Sequence, residues 1–379
     1  MDKLITVDKK SRKLIVNQRL FAYGIGFGLV LFAVHNSSQP GLEYAFLPVV
    51  GLAIVIVSVA LSFVNLKGKP DFGPRYIYIP MLVIIASVIA RLFIEPTMQT
   101  VGSILLLASL FAVYVASRHL GKAVFIAFIP AVVIEGISCI VEGLITPGAR
   151  ISGIIASSPN YCIATGFIVF GTVVAMWKWQ WALVPLALVA LFFTGSPEAL
   201  FVIAVLGIVV LARRDWSKRL LIPVGLLAIV AITWIGLGYG TELYSYAANK
   251  IETVITNPTE GNIDEALTGR WHVIKRAMNN LRPLGEGLSI TEYSTDTVHN
   301  VPLVIVQQLG IAAALAWLFV SISCLVKTKW KYAWVAVLAL SVFDHYIWTQ
   351  LAPYWWALVG VSTVSNIKSD LIFRKGGLK

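Results

Sequence analysis

Residues 44 to 65 contain no Asp, Glu, Lys or Arg, and about 20 apolar residues in a row are what a helix needs to cross the hydrocarbon layer of a bilayer. Stretches of this kind, uncharged or nearly so, recur at about 20–34, 44–65, 76–94, 99–116, 122–145, 160–176, 181–194, 197–212, 220–239, 300–326, 332–347 and 350–366. A soluble domain carries about 25% charged residues; this chain of 379 carries 13%, with 58% apolar residues and a mean hydropathy of +0.81. Soluble, disordered and disulfide-stapled classes are excluded. In lipid a helix satisfies its own backbone polar groups, so the expected fold class is all-α: a polytopic integral membrane protein of about 12 transmembrane helices. The runs 181–194 and 197–212 are short and joined by the tight turn Thr194-Gly195-Ser196-Pro197-Glu198, which leaves a re-entrant hairpin open there.

The net charge of +11 is read by location, because Lys and Arg concentrate in cytoplasmic loops. With the N-terminus inside, all but seven of the 30 basic residues fall in inside segments; the seven are Arg91, Arg150, Lys250, Arg270, Lys275, Arg276 and Arg282. The charge therefore calls for membrane lipids and no nucleic acid as partner, and both termini are expected in the cytoplasm. The first 19 residues are basic but lack a hydrophobic core followed by a small-residue cleavage site, so no cleaved signal peptide is expected. Cys139, Cys162 and Cys324 lie within apolar runs as small buried hydrophobes, without a disulfide framework.

The expected organisation follows. A cytoplasmic segment covers 1–19, nine transmembrane helices 20–239, a large periplasmic loop 240–298, three more transmembrane helices 300–366 and a cytoplasmic tail 367–379. Within the loop, Ile263, Leu267, Trp271, Ile274, Met278 and Leu281 recur at steps of three and four, an amphipathic helix near 262–282. At about 100° per residue Arg270 falls at the edge of its apolar face and Arg276 on the opposite side.

An ionisable side chain at membrane depth is costly and is a functional candidate by default. Arg91 and Glu95, four apart, can pair on one helix face. Glu135 and Glu142, seven apart, share a face of the fifth span, either as snorkelling or Arg-paired glutamates or in the site. Arg150 sits in a short outer loop ahead of Ser158-Pro159-Asn160. A guanidinium is permanently charged and its planar fork matches phosphate oxygens, so Arg150 and Arg270, on one side of the membrane, could clamp a diphosphate. His299 stands where the long loop re-enters the membrane, placing an imidazole at the level where headgroups meet water. Asp344 could orient His345 at the outer end of the eleventh span, or both could be boundary residues.

His299-Asn300, nine residues and then Gly310 resemble the H-N-x9-G signature of the bacterial O-antigen ligases and O-antigen polymerases. Gly269-Arg270-Trp271 with Pro283-Leu284-Gly285-Glu286-Gly287 is similar to that family's arginine helix and P-x-G-x-G turn. Arg150, Gly153, Pro159 and Asn160 resemble its R-x-x-G…P-N element, and Thr194-Gly195-Ser196 its T-x-S turn. Pro197-Glu198 replace the usual S-R continuation, so no anion-binding role is carried over to that turn. Ala313 stands where ligases tend to carry Gly, Thr or Tyr. The resemblance covers roughly residues 145 to 330.

It implies an inner-membrane glycosyltransferase moving a glycan from undecaprenyl diphosphate to an acceptor hydroxyl on the periplasmic face. The acceptor would be a lipid A core sugar or the end of a second lipid-linked glycan. His299 is expected as catalytic base and Arg150 and Arg270 as diphosphate ligands, with Glu142, Asn160, Asn300 and Arg276 supporting the site. No Asp-x-Asp motif is present, so no metal or other cofactor is expected. The alternative class, a secondary transporter or a glycan-translocation accessory without catalysis, would need ionisable groups near the bilayer midplane or tolerance to loss of His299.

Overall fold

The computed structural model describes residues 9–33, 46–65, 71–146, 151–156, 161–175, 183–194, 252–266, 270–279, 281–288, 299–349 and 351–364, with isolated positions between 202 and 249. Among them every regular element is helical. The helices are α1 (Lys9–Ala33), α2 (Phe46–Asn65), α3 (Arg75–Leu92), α4 (Met98–Leu120), α5 (Phe128–Ile145), α6 (Gly153–Ala156), α7 (Tyr161–Ala175), α8 (Leu183–Thr194), α9 (Glu260–Ala266), α10 (Arg270–Asn279), α11 (Val301–Leu309), α12 (Ile311–Lys327), α13 (Lys331–Phe343) and α14 (Ala352–Ser362). A 3-10 turn, Gly121–Phe125, extends α4 toward α5.

Among the described residues three helical segments are long and apolar enough to cross a membrane: Arg75–Leu92 and Phe128–Ile145 with 18 residues each, and Met98–Phe125 with 28. At 1.5 Å per residue the shorter two span about 27 Å, close to the hydrocarbon thickness. Large apolar side chains face outward, with Val64, Phe93 and Met98 at 82%, 85% and 86% exposure. Water would penalise such a surface and lipid would not. The chain is an α-helical membrane protein.

The interior is ordered around α14. Every residue from Leu351 to Val361 is buried, so this helix is apolar all round, as a central one must be. It packs against α4, while α3 packs against α12, and α5 against α7 and α8. Two of its aromatic residues find internal partners: the Trp355 indole donates to Ser321 Oγ at 3.0 Å and the Tyr354 hydroxyl to the Leu29 carbonyl at 2.6 Å. From α13, the Trp334 indole donates to Ser362 Oγ at 2.9 Å. Each of these bonds satisfies the polar atom of a large ring in the core, whereas the indole nitrogens of Trp317 and Trp356 are buried without a hydrogen-bond partner. Where α1 crosses α2, Gly28 faces the Gly51 carbonyl so closely that an added Cβ would lie 2.7 Å from it, the small-residue contact typical of membrane helix pairs.

Two expectations are refined. The single span expected over 300–326 is broken: α11 ends and α12 begins at Gly310, whose φ of 87° and ψ of 173° no helix contains. The amphipathic stretch near 262–282 is described as α9 and α10, with 267–269 outside the described residues. The expected spans 197–212 and 220–239 fall almost wholly outside them too.

Candidate functional site

The nine residues of α11 make a rod about 13 Å long, with His299 just before its start and Gly310 at its end. Asn300 is its N-cap. The Asn300 Oδ1 accepts the Leu303 amide at 3.1 Å and its Nδ2 donates to the Val342 carbonyl at 3.1 Å. One amide thus satisfies an orphan donor of α11 and an orphan acceptor at the end of α13. By tying those two helix ends together it fixes where His299 can lie.

His299 meets the residues that follow α13. Its Nδ1 is 3.5 Å from Asp344 Oδ1, and His345 Nδ1 is 3.2 Å from the same oxygen. The His345 backbone amide donates to that oxygen at 2.7 Å. The two imidazole centroids are 5.2 Å apart with planes at 63°. The His299 side chain is about one-third exposed, whereas Asp344 and His345 are buried. A buried carboxylate backed by one backbone amide therefore supports an imidazole with an open side. Sequence reasoning paired Asp344 with its neighbour His345 and did not foresee its contact with His299. The signal available was an Asp-His pair closing an apolar run.

The far end of α11 is clamped by the turn Pro283-Leu284-Gly285-Glu286-Gly287. The Glu286 amide donates to the Gln307 carbonyl at 2.7 Å and the Gly287 amide to the Gln308 carbonyl at 2.9 Å. The Gln308 side chain in turn accepts the Trp348 indole N–H at 2.9 Å, linking the turn back to the segment that carries Asp344 and His345. Arg91 donates to the Gly285 carbonyl and pairs with Glu95, so that pair holds the turn against α3. Gln99 of α4 adds a bond to the Leu288 carbonyl at 3.3 Å.

A second polar arrangement lies where α5 meets α6. Glu135, fully buried, accepts the amides of Ile154 at 3.0 Å and Ile155 at 2.8 Å. Glu142 accepts the Gly153 amide at 3.1 Å. The seven-residue spacing read as a shared face is thus a two-carboxylate cradle for the start of α6, which follows the loop bearing Arg150. Both carboxylates accept backbone amides, a contact that neither the snorkelling nor the Arg-paired reading anticipated.

The other expected residues divide as follows. Arg150, Pro159, Asn160, Gly195 and Ser196 lie outside the described residues, as do the side chains of Arg270 and Arg276, whose backbone belongs to α10. Thr194 is buried, its hydroxyl donating to the Leu191 carbonyl at 2.6 Å and accepting from Thr165 at 3.3 Å.

Chemically, the described site offers an accessible imidazole, a carboxylate that can orient it and a second imidazole. Such a set can relay a proton or ligate a metal ion. Compared with protein-family models and with curated proteins, the chain matches none.

Proposed function

We propose that this protein is a glycosyltransferase of the O-antigen ligase and polymerase type, acting in the bacterial inner membrane with both termini cytoplasmic and its site on the periplasmic side. The acceptor hydroxyl gives its proton to His299 as its oxygen bonds the anomeric carbon of the donor glycan. The bond from that carbon to the diphosphate oxygen breaks, and undecaprenyl diphosphate leaves. Arg150 and Arg270 hold the departing charge as permanent cations, so the reaction needs no metal. Asp344 keeps the imidazole of His299 oriented and balances the positive charge it gains. The acceptor is a lipid A core sugar or a second lipid-linked glycan.

The observation that carries this reading is the contact of His299 with Asp344 at 3.5 Å, on an imidazole whose other side is open. The joined packing of the H-N-x9-G and P-x-G-x-G elements around α11 supports it. The test is reconstitution in liposomes with undecaprenyl diphosphate-linked glycan, with and without lipid A core acceptor, beside His299→Ala. Transfer to the core that vanishes in the variant is expected of a ligase; longer lipid-linked chains without the core are expected of a polymerase. Full activity in His299→Ala sinks the proposal.

A further inference from the structure

Two imidazole nitrogens and a carboxylate converge at the start of α11. One ring nitrogen each of His299 and His345 and a carboxylate oxygen of Asp344 all lie within 4.8 Å of one another. The Nδ1-to-Oδ1 separations are 3.5 Å and 3.2 Å, yet neither ring nitrogen makes a hydrogen bond in its present orientation, and Asp344 Oδ2 is likewise buried without a hydrogen-bond partner. Buried polar atoms are normally satisfied. Two unpartnered ring nitrogens facing one carboxylate whose second oxygen is also unpartnered, with two of the three side chains more than nine-tenths buried, mark a place suited to something with positive charge.

We propose that His299, Asp344 and His345 form a binding site for a first-row divalent transition-metal ion of the zinc class. Zinc binds His nitrogen and carboxylate oxygen at about 2.0–2.2 Å in a tetrahedron, which puts neighbouring ligand atoms about 3.3 Å apart. The two nitrogen-to-oxygen separations bracket that value, and the two ring nitrogens lie within 4.8 Å of each other. Two nitrogens and one oxygen favour zinc, cobalt, nickel or iron over magnesium and calcium, which prefer all-oxygen shells. Three protein ligands leave a further coordination position open, and the exposed side of His299 provides the way in. The His345 amide on Asp344 Oδ1 is the supporting contact that holds the carboxylate toward the two rings.

On the transferase reading, the ion and the acceptor proton compete for the same imidazole. A bound ion then silences the base, and the transferase becomes metal-sensitive while remaining metal-independent in its chemistry. The binding site itself does not rest on that reading.

The experiment uses full-length protein in detergent micelles, stripped with chelator and titrated with Co2+, read by its visible absorption bands and by calorimetry. Wild type is expected to take up one Co2+ with imidazole-type bands, displaced by Zn2+ and unaffected by millimolar Mg2+. His345→Gln and Asp344→Asn are each expected to weaken binding by more than the 10–100-fold that loss of a mere supporting group costs. His299→Gln provides the same test at the least buried ligand should the buried variants fail to fold, and His272→Gln, on α10, is expected to bind as wild type does. No Co2+ uptake by wild type, or undiminished uptake by the folded ligand variants, overturns the site. Transfer without metal uptake would sink this inference and leave the transferase standing; metal uptake without transfer would do the reverse.

Discussion

A Cβ placed on Gly310 would lie 1.9 Å from the carbonyl oxygen of Pro283. Gly310 also has φ of 87°, a region that costs any other residue about 1–3 kcal/mol. The glycine that ends α11 is thus required twice, once by its own backbone and once by the turn lying on it. Gly310→Ala is expected to destabilise the protein by about 3 kcal/mol or more, read as a lowered Tm in micelles. Gly102 is the control: it lies in α4 with open space around it, so Gly102→Ala should be neutral or stabilising by up to about 1 kcal/mol. Equal melting temperatures for the two variants would show that the turn does not hold α11.

Glu135 concerns the cradle at α6. Its carboxylate receives two backbone amides in a fully buried setting. Glu135→Ala strands the Ile155 amide, at about 1–3 kcal/mol for an unsatisfied buried group, and leaves the Ile154 amide only the Ser138 hydroxyl at 3.2 Å. Glu135→Gln keeps one acceptor oxygen and should cost clearly less. Reading both by thermal unfolding, an Ala variant no worse than the Gln variant would show that the amides find other partners.

A pH effect is expected on the loop before α3. Burial raises the carboxyl pKa of Asp71, but the Gly73 amide at 2.9 Å and the Arg118 guanidinium at 3.0 Å more than offset it, leaving the pKa below the ordinary carboxylate value. A carboxylate with a depressed folded pKa adds stability that is present above its unfolded pKa, about 4, and is lost as pH falls through the folded value. Because Asp71 is about half exposed, the contribution at pH 7 is held to under about 1 kcal/mol. Asp71→Asn should therefore lower Tm slightly at neutral pH and converge with wild type below about pH 4. An offset unchanged across that range would contradict the ion pair.

These contacts mark where sequence reasoning reaches and where it stops. Apolar runs fixed the all-helical membrane class because lipid leaves a spanning segment few choices. The Glu135–Glu142 and Arg91–Glu95 spacings were readable because helical period places such residues on one face. The break at Gly310 was not, since hydropathy is blind to φ: the residues on both sides of it are apolar. Nor was the meeting of His299 with Asp344, because it depends on how α13 ends beside α11, a packing relation between segments far apart in the chain. Local periodicity carries no information about such a pairing.

Asn300 supplies the last test, because it separates holding the site from being in it. Its side chain caps α11 through Leu303 and reaches the Val342 carbonyl two residues before Asp344. Asn300→Asp keeps an acceptor for the cap but loses the donor to Val342; Asn300→Ala loses both. The cap is worth about 1 kcal/mol and both variants leave the Val342 carbonyl without its donor, at about 1–3 kcal/mol, so both should be less stable than wild type, with Ala losing the cap as well. If Asn300 sets the distance between His299 and Asp344, both variants should lose transfer, with kcat falling more than KM because the imidazole is misaligned while donor binding is left alone. Rescue of transfer by Asn300→Asp to the wild-type kcat would mean that the cap, and not the bridge to α13, is what Asn300 provides. A fall confined to KM would place Asn300 against the substrate instead.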